Sequence, residues 1–132
     1  MDQFHGLWTQ ESCDNVDAFL SAIGIGWGLR TVAKTQSPSV EFSTAEDGTI
    51  TFKTMTTFKT DEQKFQLGEE YEETRLDSKI VKTTANIENG ALVFHKKGDK
   101  KEYSVTFSVE GDKLTSVYVV DNIKSVRILK RA

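Results

Sequence analysis

From residue 39 onward the chain alternates apolar and polar residues almost without interruption, and this period of two limits the possible folds more than any other feature. Val40 and Phe42 share one strand face, and Ile50, Phe52 and Thr54 share another. Phe65, Leu67 and Tyr71 follow, with a bend at Gly68. Tyr103, Val105, Phe107 and Val109 give the cleanest alternation of all. Turn residues punctuate the pattern at Glu46-Asp47-Gly48, Asp77-Ser78, Glu88-Asn89-Gly90, Gly98-Asp99 and Gly111-Asp112. With a first strand at Gly6–Gln10 and two last ones at Leu114–Val120 and Lys124–Leu129, the reading is about ten strands. A small, nearly all-antiparallel chain must close its sheet or leave an exposed edge, so the expected fold is an all-β up-and-down barrel.

One helical patch interrupts the strands. Val16, Phe19, Leu20 and Ile23 fall on one face of a short helix that Asp14 or Asn15 can cap and Gly24 stops. A second helix is expected over Trp27–Lys34, with Leu29, Val32 and Ala33 inward, before Pro38 returns the chain to extended conformation. A helical pair of this kind, over about residues 14–35, is a natural lid on a barrel. The 132 residues are read as a single domain. Apolar residues make up 37%, against about 45% in ordinary domains, which fits a barrel whose interior is partly polar.

The net charge of −3 gives no basic footprint for nucleic acid. With one cysteine (Cys13) and two histidines (His5 and His95), neither a disulfide framework nor a Cys/His metal site can be assembled, and no cofactor is implied. The start of the chain lacks the basic and apolar regions of a signal peptide, and no apolar run approaches membrane-spanning length. A soluble cytoplasmic monomer is the expectation. Catalysis is not expected. Glu69-Glu70 and Glu72-Glu73 are read as strand-surface carboxylates without a neighbouring histidine, and no serine has a nucleophile-elbow context.

Six motifs in order carry a resemblance that spans the chain. They are Phe4-x-Gly6-x-Trp8, Asn15-Val16-Asp17-Ala18-Phe19-Leu20, and Ile23-Gly24-Ile25-Gly26-Trp27-x-x-Arg30 with Pro38. Then follow Thr56-Thr57-Phe58-Lys59, Phe65-x-Leu67-Gly68-Glu69-Glu70-Tyr71-Glu72-Glu73-Thr74 and Val126-Arg127-Ile128-Leu129-Lys130-Arg131. The chain resembles the cytosolic fatty-acid-binding proteins, a calycin family of intracellular lipid carriers, with a tail like that of their liver and ileal branch. The resemblance implies a ten-stranded β-clam under a helix-turn-helix lid, holding a long-chain fatty acid without covalent chemistry. It places a portal at Val32, Ala33, Phe58 and the Leu76-Asp77 turn.

Relatives with the strongest carboxylate site use two arginines and a tyrosine, since a guanidinium fork meets a carboxylate with two bonds. By resemblance Arg127 keeps one of these positions, while Leu129 stands for the tyrosine and Phe107 for the other arginine (Thr106 with a one-residue shift). Alternation alone would put Val126 and Ile128 inside, leaving Arg127 solvated; the resemblance turns Arg127 and Ser125 inward. The expected ligand-facing set adds Thr54, Thr56, Phe58, Pro38 and Tyr118 to the barrel, and Val16, Phe19, Leu20 and Ala33 to the lid. With the anchor thinned, a bile acid, sterol or retinoid is the rival ligand, and a peripheral membrane scaffold the rival role. Arg30 and Lys34 lie one helical turn apart and form a small basic spot suited to transient membrane contact through the lid.

Overall fold

The computed structural model describes residues 1–57 and 59–132. Phe58, expected at the portal, lies outside the described residues. The strands are β1 (Gly6–Cys13), β2 (Ser39–Thr44), β3 (Ile50–Met55), β4 (Thr60–Phe65), β5 (Tyr71–Thr74), β6 (Ile80–Glu88), β7 (Ala91–Lys97), β8 (Glu102–Glu110), β9 (Lys113–Val120) and β10 (Ile123–Arg131). The helices α1 (Val16–Ala22) and α2 (Trp27–Lys34) lie between β1 and β2. Among the described residues the strands form one sheet in the order β4-β3-β2-β1-β10-β9-β8-β7-β6-β5, every neighbouring pair antiparallel. Consecutive strands pair because turns such as Asn89-Gly90, with φ of 52° and 81°, supply the left-handed backbone a tight hairpin needs.

No backbone ladder joins β4 to β5 among the described residues, and side chains close this seam. The Tyr71 hydroxyl donates to Gln63 Oε1 at 2.8 Å, and Gln63 Nε2 donates to Glu73 Oε2 at 3.3 Å. The Phe65 and Tyr71 rings stack across the seam with centroids 5.1 Å apart. The result is a nearly closed ten-stranded barrel.

Inward residues divide it into a floor and a roof. The floor is apolar and aromatic: Phe4, Trp8, Phe42, Phe65, Phe94, Phe107, Leu114 and Leu129 are buried there, with Phe52 against them. Phe42 stacks on Phe52 at 4.6 Å, and Phe107 meets Phe42, Phe52 and Phe94 edge-on at 5.4–5.6 Å. Such edge-to-face pairs satisfy the ring quadrupoles while burying large areas. The roof is α1, whose Phe19 packs, together with Ile23 and Ile25 just beyond the helix, on Tyr103 and Val120.

The lid departs from expectation in three ways. Asn15 adopts a left-handed conformation at the start of α1 without capping it; its side chain donates to Lys124 O at 2.9 Å instead. Asp14 likewise accepts from Val126 N at 2.8 Å, so both residues tie the lid to β10. The second departure is α2, in which no residue is buried: Leu29, Val32 and Trp27 stay exposed because only α1 reaches the barrel mouth. Finally, the basic spot is neutralised, since Arg30 and Lys34 both meet Asp17, at 3.1 and 3.6 Å. These contacts hold the Asp17 carboxyl below its usual range, chiefly through the Arg30 hydrogen bond.

Candidate ligand-binding chamber

Along β10, Ser125, Arg127 and Leu129 face the interior. Ser125 and Leu129 are buried, and the Arg127 guanidinium lies 5.6 Å from the Tyr118 ring centroid. Val126 and Ile128 take the outer face and remain half-buried. Hydropathy alternation alone therefore inverts this strand, because a barrel can hold polar groups inside. Among the described residues Arg127 Nε is buried with no hydrogen-bond partner, as is Oε1 of Gln10 on the neighbouring β1. Leaving a charged group's donor buried and unpaired is costly, so the Arg127 Nε–H is an open donor of the site. It also borders a recess of about 300 Å3 between the end of β1, the first turn of α1 and the end of α2, with Val16, Ala33 and Cys13 on its lining.

The opposite wall is more polar than the sequence suggested. Glu73, read as a surface carboxylate, points inward because it lies two residues from inward Tyr71, and its side chain is only 12% exposed. It accepts from Lys96 Nζ at 2.5 Å, from Thr83 Oγ1 at 2.9 Å and from Gln63 Nε2 at 3.3 Å. Lys96 follows Leu92 and Phe94 on the inner face of β7, and its Nζ lies 5.6 Å from the Phe94 centroid. Burial, with Glu73 nearby, pushes the Tyr71 hydroxyl well above the usual phenol range. Alternation within Tyr71-x-Glu73-x-Arg75 and Leu92-x-Phe94-x-Lys96 was the signal that located these groups.

Arg75 is the third missed residue. It is buried in the turn after β5, meets Asp77 through two bonds of 2.8 and 2.7 Å, and donates from Nη1 to Ile23 O at 3.0 Å. A side chain on the barrel rim thereby satisfies a carbonyl at the end of α1, which the helix itself cannot. The Asp77 hydrogen bonds push Arg75 further up and hold the Asp77 carboxyl below its usual range.

The remaining expected residues fall into groups. Phe19 makes T-shaped contacts with Tyr103 and Tyr118 at 5.7 and 5.5 Å, plugging the mouth, and Leu20 packs beside it. Thr54 shares the inner face with Val40 and Asp61, its ladder partners. Thr56 instead sits in the turn after β3, where its hydroxyl meets Lys59 backbone atoms at 3.3 Å. Pro38 is buried just before β2, and Phe107 and Leu129 belong to the floor. At the portal positions, Val32 and Leu76 are exposed while Asp77 turns inward to Arg75.

A barrel of this topology, floored with aromatics, roofed by α1 and carrying an inward arginine with an unsatisfied buried donor, defines a ligand-enclosing β-barrel protein. Residues 5–132 match the model of the lipocalin / cytosolic fatty-acid binding protein family, and the chain belongs to that family. It is 44% identical to a fatty acid-binding protein of Tyrophagus putrescentiae, over 99% of each chain. Its fold superposes on the Schistosoma mansoni fatty acid binding protein in complex with arachidonic acid with a TM-score of 0.95, at 28% identity, over 100% of this chain and 98% of that one. Fatty-acid-binding protein 1 of Echinococcus granulosus gives a TM-score of 0.97 at 26% identity, over 100% and 99%.

Proposed function

We propose that this protein binds a long-chain fatty acid non-covalently inside the barrel and carries it through the cytoplasm as a monomer, without catalysing its conversion. The whole chain, residues 1–132, acts as one lipid-binding unit. The observation that carries the reading is the inward, half-buried Arg127, whose Nε is buried without a hydrogen-bond partner and whose guanidinium has no carboxylate partner among the described residues. Arg75 and Lys96 are already paired with Asp77 and Glu73, so a ligand bringing one negative charge completes the interior balance. The acyl chain supplies most of the affinity, each buried methylene contributing about 0.8 kcal/mol before ordering costs. The aromatic floor provides that apolar surface, and Tyr118, Phe19, Leu20, Val16, Ala33, Thr54 and Pro38 complete the lining.

Delivery uses the lid. Trp27 is 72% exposed on α2 beside exposed Leu29 and Val32, which supports brief contact with a bilayer surface; Arg30 and Lys34, held by Asp17, contribute little to it.

The test is to strip the purified protein of lipid, titrate it with oleic acid, and separately identify by mass spectrometry what it had retained. Saturable uptake and retained long-chain fatty acids are expected. A protein that takes up no fatty acid while releasing a sterol, bile acid or retinoid would overturn the assignment.

A further inference from the structure

The cluster around Lys96 has more capacity than closing the seam requires. Glu73 already links β4, β5 and β6 by accepting from Gln63 and Thr83, and the Tyr71 hydroxyl adds a bond to Gln63. Lys96 adds an ammonium with three donor hydrogens to a site where its side chain is only 11% exposed. It gives one hydrogen bond, to Glu73, and among the described residues its only other contact of this kind is the Phe94 ring. Two N–H donors are thus left over beside Phe94, whose ring meets Phe52 and Phe107 at 5.9 and 5.6 Å.

We infer that the Glu73–Lys96 pair is a second polar anchor, which recognises a neutral oxygen function partway along the acyl chain of an oxygenated fatty acid. This rests on the carrier reading above. The pair is charge-compensated, so a second carboxylate gains little there and would face Glu73. A hydroxyl suits it on both counts: its oxygen accepts from a free Lys96 N–H, and its hydrogen has Glu73 oxygens within the same cluster. An unpartnered hydroxyl in the aromatic chamber would otherwise pay for its lost hydration. The two anchors are well separated. Arg127 and Leu92 lie on one row of the ladder through Ser116 and Phe107. Lys96 is on the third strand from β10, roughly 14 Å along the sheet, and four residues towards the lid, about 13 Å along the strand. A long acyl chain held by its carboxylate at Arg127 therefore brings its middle or distal carbons, not its head, to Lys96.

The test compares stearic acid with octadecanoic acids hydroxylated at carbon 9, 10 or 12, titrated against the lipid-free protein. For at least one position the wild type is expected to hold the hydroxy acid as tightly as stearic acid or more tightly. Lys96→Met should weaken that hydroxy acid about tenfold relative to stearic acid, whose own affinity stays within about twofold, since hydrogen bonds to charged groups are the strong ones. Removing Lys96 alone leaves Glu73 buried without its cation. The double variant Lys96→Met/Glu73→Gln keeps partners for Thr83 and Gln63 and should show the same selective loss. Equal discrimination in wild type and either folded variant, or a wild type that disfavours every hydroxy acid, overturns this inference alone. Failure to bind stearic acid and the hydroxy acids alike overturns the carrier reading and this one with it.

Discussion

Arg127 acts against the stability of the empty barrel and in favour of the filled one. Its buried Nε has no hydrogen-bond partner among the described residues, and replacing a charged group with an unsatisfied buried donor by an apolar group of similar size is often neutral or stabilising. Arg127→Leu is therefore expected to unfold no earlier than wild type when lipid-free, yet to bind oleic acid about ten- to a hundredfold more weakly while oleyl alcohol changes little. Thermal melts and paired titrations check both halves. Equal weakening of acid and alcohol would detach Arg127 from the head group. At this scale the sequence was legible for apolar residues and poorly legible for polar ones. Val40, Phe42, Val105 and Phe107 could be placed from alternation, because burial is the only demand on them, whereas Leu129 could not, because its strand carries Arg127 and Ser125 on the same inner face. Glu73, Arg75 and Lys96 could not, because a charged side chain on an inward position reads as a surface residue unless the partner that the fold brings to it is known.

Arg75 joins two elements, the β5–β6 turn and α1, by holding Asp77 with two bonds and the Ile23 carbonyl with a third. Breaking this link leaves a helix-end carbonyl unsatisfied and frees the roof from the rim. Arg75→Met should raise the rate of ligand release several-fold in stopped-flow transfer to acceptor vesicles, with a smaller change in affinity. The link also has a pH sign. Asp77 has a folded pKa depressed below the ordinary 3.8, so its contribution is fully present above that value and is lost as pH falls through the lower folded value. Asp17, which holds Arg30 within the lid, shifts in the same direction. Ligand release should accordingly quicken below about pH 4, and Arg75→Met should flatten that dependence; an unchanged acid response would remove Asp77 from the gate. The extents of α1 and α2 were readable from helical spacing and the stops at Gly24 and Pro38. The exposure of α2 was not, since an apolar helical face looks alike whether it meets a barrel or a solvent.

Across the whole molecule, cohesion is uneven. β1, β10 and β9 are flanked on both sides by ladders, whereas β4 and β5 have one ladder each and meet through side chains. Hydrogen exchange should therefore be slowest for backbone amides of β9 and β10 and fastest for β4 and β5, with ligand slowing the latter most. Uniform protection around the barrel would mean that the seam is as firm as the ladders.

The order of strands in that sheet has one more consequence. β1 lies between β2 and β10, and the two ends of the chain are neighbours: Ala132 N donates to Leu7 O at 2.9 Å, and Arg131 Nη1 to His5 O at 2.9 Å. A circular permutant, linked across these ends and opened between β4 and β5, would read β5 to β10 and then β1 to β4. Every strand would then follow its ladder partner in sequence, from one edge of the sheet to the other. The long-range β1–β10 pairing would become a local one, and loop-closure entropy says such a chain should refold faster than its parent.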